Sequence, residues 1–470
     1  KAMLQESRTA RWLSSGIVAL GLVLRLCLGS HSYSGKGNPP MYMNTTENDL
    51  GYWGIDYPPL SAYQSWLSGK FVSLFDQRSV VLLDSRGYEN ASSKLGMRLS
   101  VIAADLLVYI PACLALSSTI PLLSERMFVL LVLVCNPAVL IIDHGHFQYN
   151  GIGLGLTIGA IFCIVTRRYL MGSALFCCAL NHKQMTLYFA PAVFVHLLGM
   201  CLKEKKILGK ATMLARLGAV VVVSFIICWI PFIGSMEMLQ QVIKRIFPLQ
   251  RGLFEDYVAN FWCVSSLIFK WKKYITGAHL AKMCAMATMV ASLPSLIMEV
   301  TKPSRETFIL CLMNTSLAFF LFSYQVHEKS ILIPLMPMSI LMYPSRRASS
   351  VYALNISLMT MYPLLKKDGL LGPYWAMHVL ALSFQYFGNQ EGSFSGKCKL
   401  TNIRSILEFA VFSPLVLVGI FLVHVFCVIA QPYTTKEYFT DAVIMAAGFG
   451  FLVLQLLIGN IRQYIQWKAN

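Results

Sequence analysis

The stretch Met97–Ile120 reads MRLSVIAADLLVYIPACLALSSTI, apolar throughout apart from Arg98 at its start and Asp105 in its interior. A helix that crosses the hydrocarbon of a bilayer needs about 20 mostly apolar residues, so this stretch is long enough to span. A carboxylate is expensive in lipid, and Asp105 must therefore face the protein interior or an aqueous cavity. Its partner is Arg25 or Arg98, or else it takes part in chemistry; the sequence leaves these readings open.

Similar apolar runs continue on both sides. Trp12–Gly29 precedes it, and Met127–Ile142, Gly151–Val165, Tyr169–Leu180, Met185–Cys201, Ala211–Gly234 and Leu280–Val300 follow. Thr307–Phe322, Ser330–Tyr343, Val351–Leu365, Leu371–Phe387, Ile406–Ala430 and Phe439–Ile461 complete the series. The total is about fourteen spans, the shorter ones tilted, re-entrant or extended by polar neighbours. Hydrophobic residues make up 56% of the 470 and charged residues 13%, with a mean hydropathy of +0.60. Such a balance excludes an ordinary soluble globular chain. There is no internal repeat and no low-complexity segment, and no broken helices are expected. The fold class is all-α membrane, with residues 1–470 forming a single polytopic domain.

The net charge of +17 is spread over short Lys and Arg clusters between apolar runs, not along a continuous stripe, which argues against nucleic acid as a partner. With the N-terminus in the cytosol, one set of loops collects Arg126, Arg167 with Arg168, Lys203 to Lys206, Lys302 with Arg305, Arg346 with Arg347, and Lys397 with Lys399. These are the positive-inside loops. The opposite face receives two large loops, 30–96 and 235–279, and shorter ones at 144–150, 181–184, 325–329 and 366–369. That face is rich in His, Asp, Glu, Gln and Asn, and carries the glycosylation sequons Asn44-Thr45-Thr46 and Asn90-Ala91-Ser92, so it is read as lumenal. Lys270, Lys272 and Lys273 break the charge rule there, which makes Phe261–Tyr274 an interfacial or re-entrant segment. The first apolar run follows Lys1, Arg8 and Arg11, contains Arg25 and lacks a small-residue cleavage site, the pattern of a retained signal anchor. The 13 cysteines are scattered, some inside apolar runs such as Cys177 and Cys178, with no metal-ligand spacing; they read as small hydrophobes.

Polar motifs gather on the lumenal side. Tyr52-Trp53-Gly54-Ile55-Asp56-Tyr57-Pro58-Pro59-Leu60 holds a carboxylate just before a stiff proline pair, with aromatic rings suited to sugars. It reads equally as an interfacial aromatic belt with a turn. His144-Gly145-His146-Phe147-Gln148-Tyr149-Asn150 has two histidines but no third ligand at metal spacing, so a polar cap on helix ends is the simpler reading. Phe247-Pro248-Leu249-Gln250-Arg251-Gly252-Leu253-Phe254-Glu255-Asp256-Tyr257 offers a guanidinium suited to phosphate, or an intraloop ion pair. Gln325-Val326-His327-Glu328-Lys329 lies at the membrane boundary, where a Lys and a His can bind a lipid-linked phosphate or simply snorkel.

Taken together, these motifs resemble the dolichyl-phosphate-glucose-dependent α-1,3-glucosyltransferases of asparagine-linked glycan assembly. The match runs in order from Tyr33-Ser34-Gly35-Lys36-Gly37 through Asp56-Tyr57-Pro58-Pro59, Ser85-Arg86-Gly87 and His144 to Asn150. It continues with Lys183-Gln184-Met185, Arg251-Gly252, Phe254-Glu255-Asp256, Val326-His327-Glu328-Lys329-Ser330 and Pro363 to Gly369. Lys183-Gln184-Met185 and Phe254 to Asn260 look more like the members that add the first glucose to the nine-mannose dolichol-linked oligosaccharide than those that add the second. The resemblance implies a C-type glycosyltransferase fold and inverting transfer from dolichyl phosphate glucose to the dolichol-pyrophosphate-linked oligosaccharide in the endoplasmic-reticulum membrane. It implies no cofactor and no metal. It places His327, Lys329 and Arg251 at the donor phosphate and Asp56 as an assisting carboxylate. Tyr57, His144, His146, Gln148, Glu255, Asp256 and Glu328 then fall in the substrate site.

One departure stands out. In the family, the stretch matched by Pro39-Pro40-Met41-Tyr42 is followed by Gly-Asp-Tyr/Phe-Glu-Ala-Gln-Arg-His-Trp-Met-Glu, whose Asp is the expected general base. Here Met43-Asn44-Thr45-Thr46 follows Tyr42 directly. The resemblance therefore implies a weak or inactive chain, in which Glu47 or Asp49 substitutes only if the shortened loop slides into place. Three alternatives remain: a form that binds dolichol-linked lipids without turning them over, the second-glucose paralog, and a secondary transporter.

Overall fold

The computed structural model describes residues 2–30, 55–81, 85, 87–247, 252–254, 256–341, 347–388, 414–430 and 438–470. The sequon at Asn44, the junction between Tyr42 and Met43, Glu47, Asp49, Arg86, Arg251, Glu255, Arg346, Lys397 and Lys399 lie outside the described residues. Within them the chain is helical, with one isolated parallel β-bridge between Phe254 and Val326. Eight helices among the described residues are long and apolar enough to cross a membrane, and shorter apolar helices accompany them. This is a multi-pass, all-α membrane protein.

In chain order the helices are α1 (Ala2–Leu28), α2 (Pro59–Val72), α3 (Ala91–Ala104), α4 (Ile110–Ser117), α5 (Leu123–Val134), α6 (Gly151–Val165) and α7 (Tyr169–His182). Next come α8 (Ala190–Leu202), α9 (Ile207–Trp229), α10 (Met236–Ile246), α11 (Gly277–Thr301), α12 (Arg305–Phe322) and α13 (Leu332–Ile340). The last are α14 (Arg347–Thr360), α15 (Leu371–Gly388), α16 (Pro414–Ala430) and α17 (Phe439–Ala469). The expectation of unbroken spans is corrected. A π-helical turn, Asp105–Tyr109, joins α3 to α4, and a second one, Ile141–Phe147, follows the short helix Pro137–Leu140. Pro137 has no N–H to continue the helix before it, and Asn136 Oδ1 accepts from Ala138 N at 3.1 Å to start the next turn.

The chain divides into two compact units. The first comprises Lys1–Ile120, Val139–Leu187 and Glu204–Leu249. In it α7 packs on both α6 and α9, and α4 packs on α6. Small residues permit the close approach that membrane helices use in place of a hydrophobic drive. A Cβ at Gly155 would lie 2.8 Å from Tyr109 Cα and 2.9 Å from Tyr109 N, both backbone atoms that cannot step aside. Gly155→Ala is therefore expected to cost about 1–3 kcal/mol through overpacking. Gly159→Ala, whose methyl would meet only Leu175 Cδ1 at 3.5 Å, is expected to be neutral. Melting of the detergent-solubilised variants checks this, and equal melting temperatures would refute the packing argument.

Local capping fixes the start of α3. Asn90 Oδ1 accepts from Ser93 N at 2.7 Å, Ser93 Oγ accepts from Asn90 N at 3.2 Å, and the Asn90 amide donates to Asp76 Oδ2 and Tyr88 Oη. The asparagine of the second sequon is thus also a helix cap.

The second unit comprises Pro121–Ala138, Tyr188–Lys203 and Gln250–Asn470. Its centre is α12, buried along almost its whole length and packed on α11, α13 and α17. A polar seam ties three of these helices. Asn314 Nδ2 donates to Gln463 Oε1 at 2.9 Å, and Gln463 Nε2 donates to Ser295 O at 2.9 Å. One turn further along α11, Glu299 is buried against His196 at 2.7 Å, and the imidazole lies 4.2 Å from the Phe308 ring centroid.

Candidate active site

In the first unit the two π-helical turns are bridged by side chains. Asp105 Oδ2 lies 2.7 Å from Arg25 Nε and 3.0 Å from His144 Nε2, with all three residues buried. Of the two partners open to Asp105, the structure selects Arg25. Arg98 instead donates to the carbonyl of His144 at 2.9 Å and sets its guanidinium 5.5 Å from the Phe147 ring centroid. His144 is more than a polar cap, because its ring is held by Asp105 and its main chain by Arg98, two side chains of α3 and the π turn that continues it.

Phe147 has a φ of 70°, a left-handed conformation that is strained for a bulky residue. The π turn closes there with Gln148 N donating to Asp143 O at 3.1 Å. The backbone then leaves the helix, and Gln148, Tyr149 and Asn150 form a short connector to α6. Asp143 anchors the connector, since its carboxylate accepts from Asn150 N at 2.9 Å, Gly151 N at 3.0 Å and Asn150 Nδ2 at 2.5 Å.

Lys183 completes this cluster. It is buried, donates to Asn150 Oδ1 at 2.6 Å, and holds its ammonium 4.9 Å from the Tyr57 ring and 4.8 Å from the Tyr149 ring. Contacts of that length over aromatic faces are attractive for a cation. The flanking residues dock the proline turn: Gln184 Nε2 donates to Asp56 O at 2.7 Å, His182 Nε2 lies 2.6 Å from Gln64 Oε1, and Ser61 Oγ donates to His182 O. The Asp56 carboxylate itself pairs with Arg245 at 2.7 Å. His146 is half-buried in the π turn, and Gln148 Oε1 accepts from Asn150 Nδ2 at 3.3 Å.

The second unit holds the other candidate motif. Gln325 N donates to Leu253 O at 3.0 Å beside the Phe254–Val326 bridge, and Gln325 takes a φ of 59°. His327 then opens the 3₁₀ turn Glu328–Ile331, with its Nδ1 2.8 Å from the buried Glu328 Oε2. Lys329 is half-buried. Asp256 meets Lys367 at 3.3 Å, both exposed, a contact of little energetic weight. Burial raises the Cys263 thiol above its usual range, consistent with its reading as a small hydrophobe.

The description "ALG6, ALG8 glycosyltransferase family" matches residues 40–458. The chain belongs to that family. Among its relatives, a probable dolichyl pyrophosphate Man9GlcNAc2 alpha-1,3-glucosyltransferase of Arabidopsis thaliana is 37% identical over 97% of this chain and 89% of its own length. The Drosophila melanogaster protein of the same name is 36% identical over 95% of this chain and 97% of its own. The Gallus gallus dolichyl pyrophosphate Man9GlcNAc2 alpha-1,3-glucosyltransferase is 41% identical over 76% of this chain and 75% of its own. Membership in the ALG6, ALG8 glycosyltransferase family, not helix continuity, weighs against the transporter reading.

For this glycosyltransferase, sequence reasoning named Asp56, Tyr57, His144 and Gln148, and the structure gathers them in one unit. His327, Glu328 and Asp256 lie in the other. Asp143 and Arg245 went unremarked, and Lys183 was noted only within a matched motif. Asp143 carries a weaker form of the signal that flagged Asp105, a carboxylate just past the end of an apolar run where Asp105 lies inside one. Arg245 closes an amphipathic stretch that begins at the Ser235 cap.

Proposed function

We propose that this chain transfers glucose, in α-1,3 linkage and with inversion, from dolichyl phosphate glucose to the terminal mannose of the nine-mannose dolichol-pyrophosphate-linked oligosaccharide. The reaction belongs to the lumenal face of the endoplasmic-reticulum membrane, where loops 30–96 and 235–279 are placed. The observation that carries this reading is the shared name of relatives 36–41% identical over most of the chain.

In the proposed reaction the acceptor hydroxyl attacks glucose C1, and its proton passes to a carboxylate. The bond from C1 to the phosphate oxygen breaks, and dolichyl phosphate leaves. Negative charge grows on that phosphate, where His327, Lys329 and Arg251 are assigned to stabilise it. Glu328, buried against His327, acts through that histidine. Tyr57, His146, Gln148, Glu255 and Asp256 are assigned to the substrates, and His144 holds the connector that carries Gln148.

The family segment with the general base is absent after Tyr42, and removing a positioned base costs about 10² to 10⁴ in rate. Glucose transfer in microsomes, measured with labelled donor, is therefore expected to be slow for this chain and to rise by about that factor when the segment is inserted after Tyr42. Equal rates would refute the missing-base argument. No transfer even with the segment restored would refute the glucosyltransferase reading. The same gap favours one second reading, a form that binds dolichol-linked lipid without turnover, recognised by donor binding unaccompanied by transfer.

A further inference from the structure

Ile55 and Asp56 precede the proline pair, and both are engaged by one helix. Ile55 is buried in a small cluster with Val242 and Ile246, on the apolar face of α10. Those residues are four apart and so share a face. Arg245 lies one residue before Ile246, beside that face, and its Nη2 reaches Asp56 Oδ1 at 2.7 Å. The helix is built to stay in place: Ser235 Oγ caps it by accepting from Met238 N at 3.1 Å, Glu237 sits in its first turn, and Lys244 and Arg245 sit in its last, all favoured by the helix dipole.

On its main-chain side, Asp56 is fixed by Gln184. Tyr57, the next residue, lies against Lys183. Asp56 is thus the point at which α10, the proline turn and the Lys183 cluster are tied together.

We propose that Arg245 and Asp56 form a positioning pair, in which Arg245 holds the Asp56 carboxylate and thereby the turn that presents Tyr57, so that Asp56 serves the reaction without itself taking a proton. The inference rests on the glucosyltransferase reading for its functional consequence, but not for the pair itself. A general base must approach the hydroxyl it deprotonates to about 2.6–3.2 Å and release its electron pair to that proton. A carboxylate held by a guanidinium at 2.7 Å is already committed to another cation. Both side chains are about a quarter exposed, at 24% for Arg245 and 23% for Asp56, so the pair can be exchanged without burying a lone charge.

The test is a charge exchange in the full-length chain, comparing Asp56→Arg, Arg245→Asp and the double variant with the parent. The chains are read by melting in detergent and by kcat and KM for transfer in microsomes. Each single variant is expected to lower the melting temperature and to cut kcat/KM by about 10-fold or more, as loss of placement does. The double variant is expected to recover most of both losses. Additive losses in melting temperature would overturn the pair. Recovered melting with transfer still lost would show that the Asp56 carboxylate reacts, and would overturn its positioning role. If the parent transfers no glucose, the same cycle is read in chains carrying the family segment inserted after Tyr42; no transfer there means that the glucosyltransferase reading is what fails, and the melting cycle then decides the pair by itself, coupling sustaining it and additivity removing it.

Discussion

Asp105→Ala is expected to remove most of the folded chain from the membrane fraction. Arg25 is completely buried, with its Nε 2.7 Å from Asp105 and its Nη1 donating to Gly21 O at 3.0 Å. Truncating Asp105 removes the carboxylate that lies against this guanidinium in a membrane-embedded interior and takes away the acceptor beside the His144 ring. Breaking one side of a buried ion pair costs about 3–5 kcal/mol, because the remaining charge is unpaired. That is a large part of a typical total of about 5–15 kcal/mol. The variant Arg25→Met with Asp105→Leu, which removes both charges, is expected to restore much of the yield. Size-exclusion chromatography of the solubilised chains provides the measurement, and a single variant as monodisperse as the parent would sink the argument.

Lys183→Met is the second change with a large expected effect. Its ammonium is shared among Asn150, Tyr57 and Tyr149, and Asp143 lies on the other side of the same asparagine. Methionine keeps the volume but removes the charge that the two rings and the amide converge on. Misplacing substrate-binding groups by about 1 Å can cost about 10²-fold in rate, and a loss of at least that size in kcat/KM is expected here. Lys183→Arg is not expected to rescue it, because a planar fork cannot take the place of a compact ammonium between two rings. Near-parental kcat/KM in Lys183→Met would show that the cluster has no bearing on the reaction.

Much of the architecture could be read from hydrophobic length alone. The run Gly151–Val165 and α6 have the same ends, since Asn150 and Thr166 bound the apolar stretch. Interruptions were another matter. The π turns at Asp105 and Ile141 depend on side chains that arrive from other helices, Arg25 and Arg98 among them, and no local pattern announces them. The site shows the same division. Asp56 and His144 stood out as polar residues beside apolar runs, whereas Arg245 sat in an amphipathic helix where a solvated basic residue is the ordinary expectation. Three of the four non-glycine residues with positive φ among the described residues, Phe147, Asp256 and Gln325, lie in the candidate motifs. None is a glycine, so composition gave no hint of these turns.

The Arg25–Asp105 pair also bears on how the chain is made. Its two members are 80 residues apart, so α1 is synthesised well before the carboxylate that neutralises its arginine. At about 5–20 residues per second, the interval is roughly 4–16 s. During that interval the arginine, in the last turn of α1, opposes insertion by less than the about 2.5–3.5 kcal/mol that it would cost at mid-helix. The first helix is therefore a somewhat weaker free-standing anchor until α3 brings the carboxylate. Its settling into the bilayer is a two-helix event, timed by the ribosome.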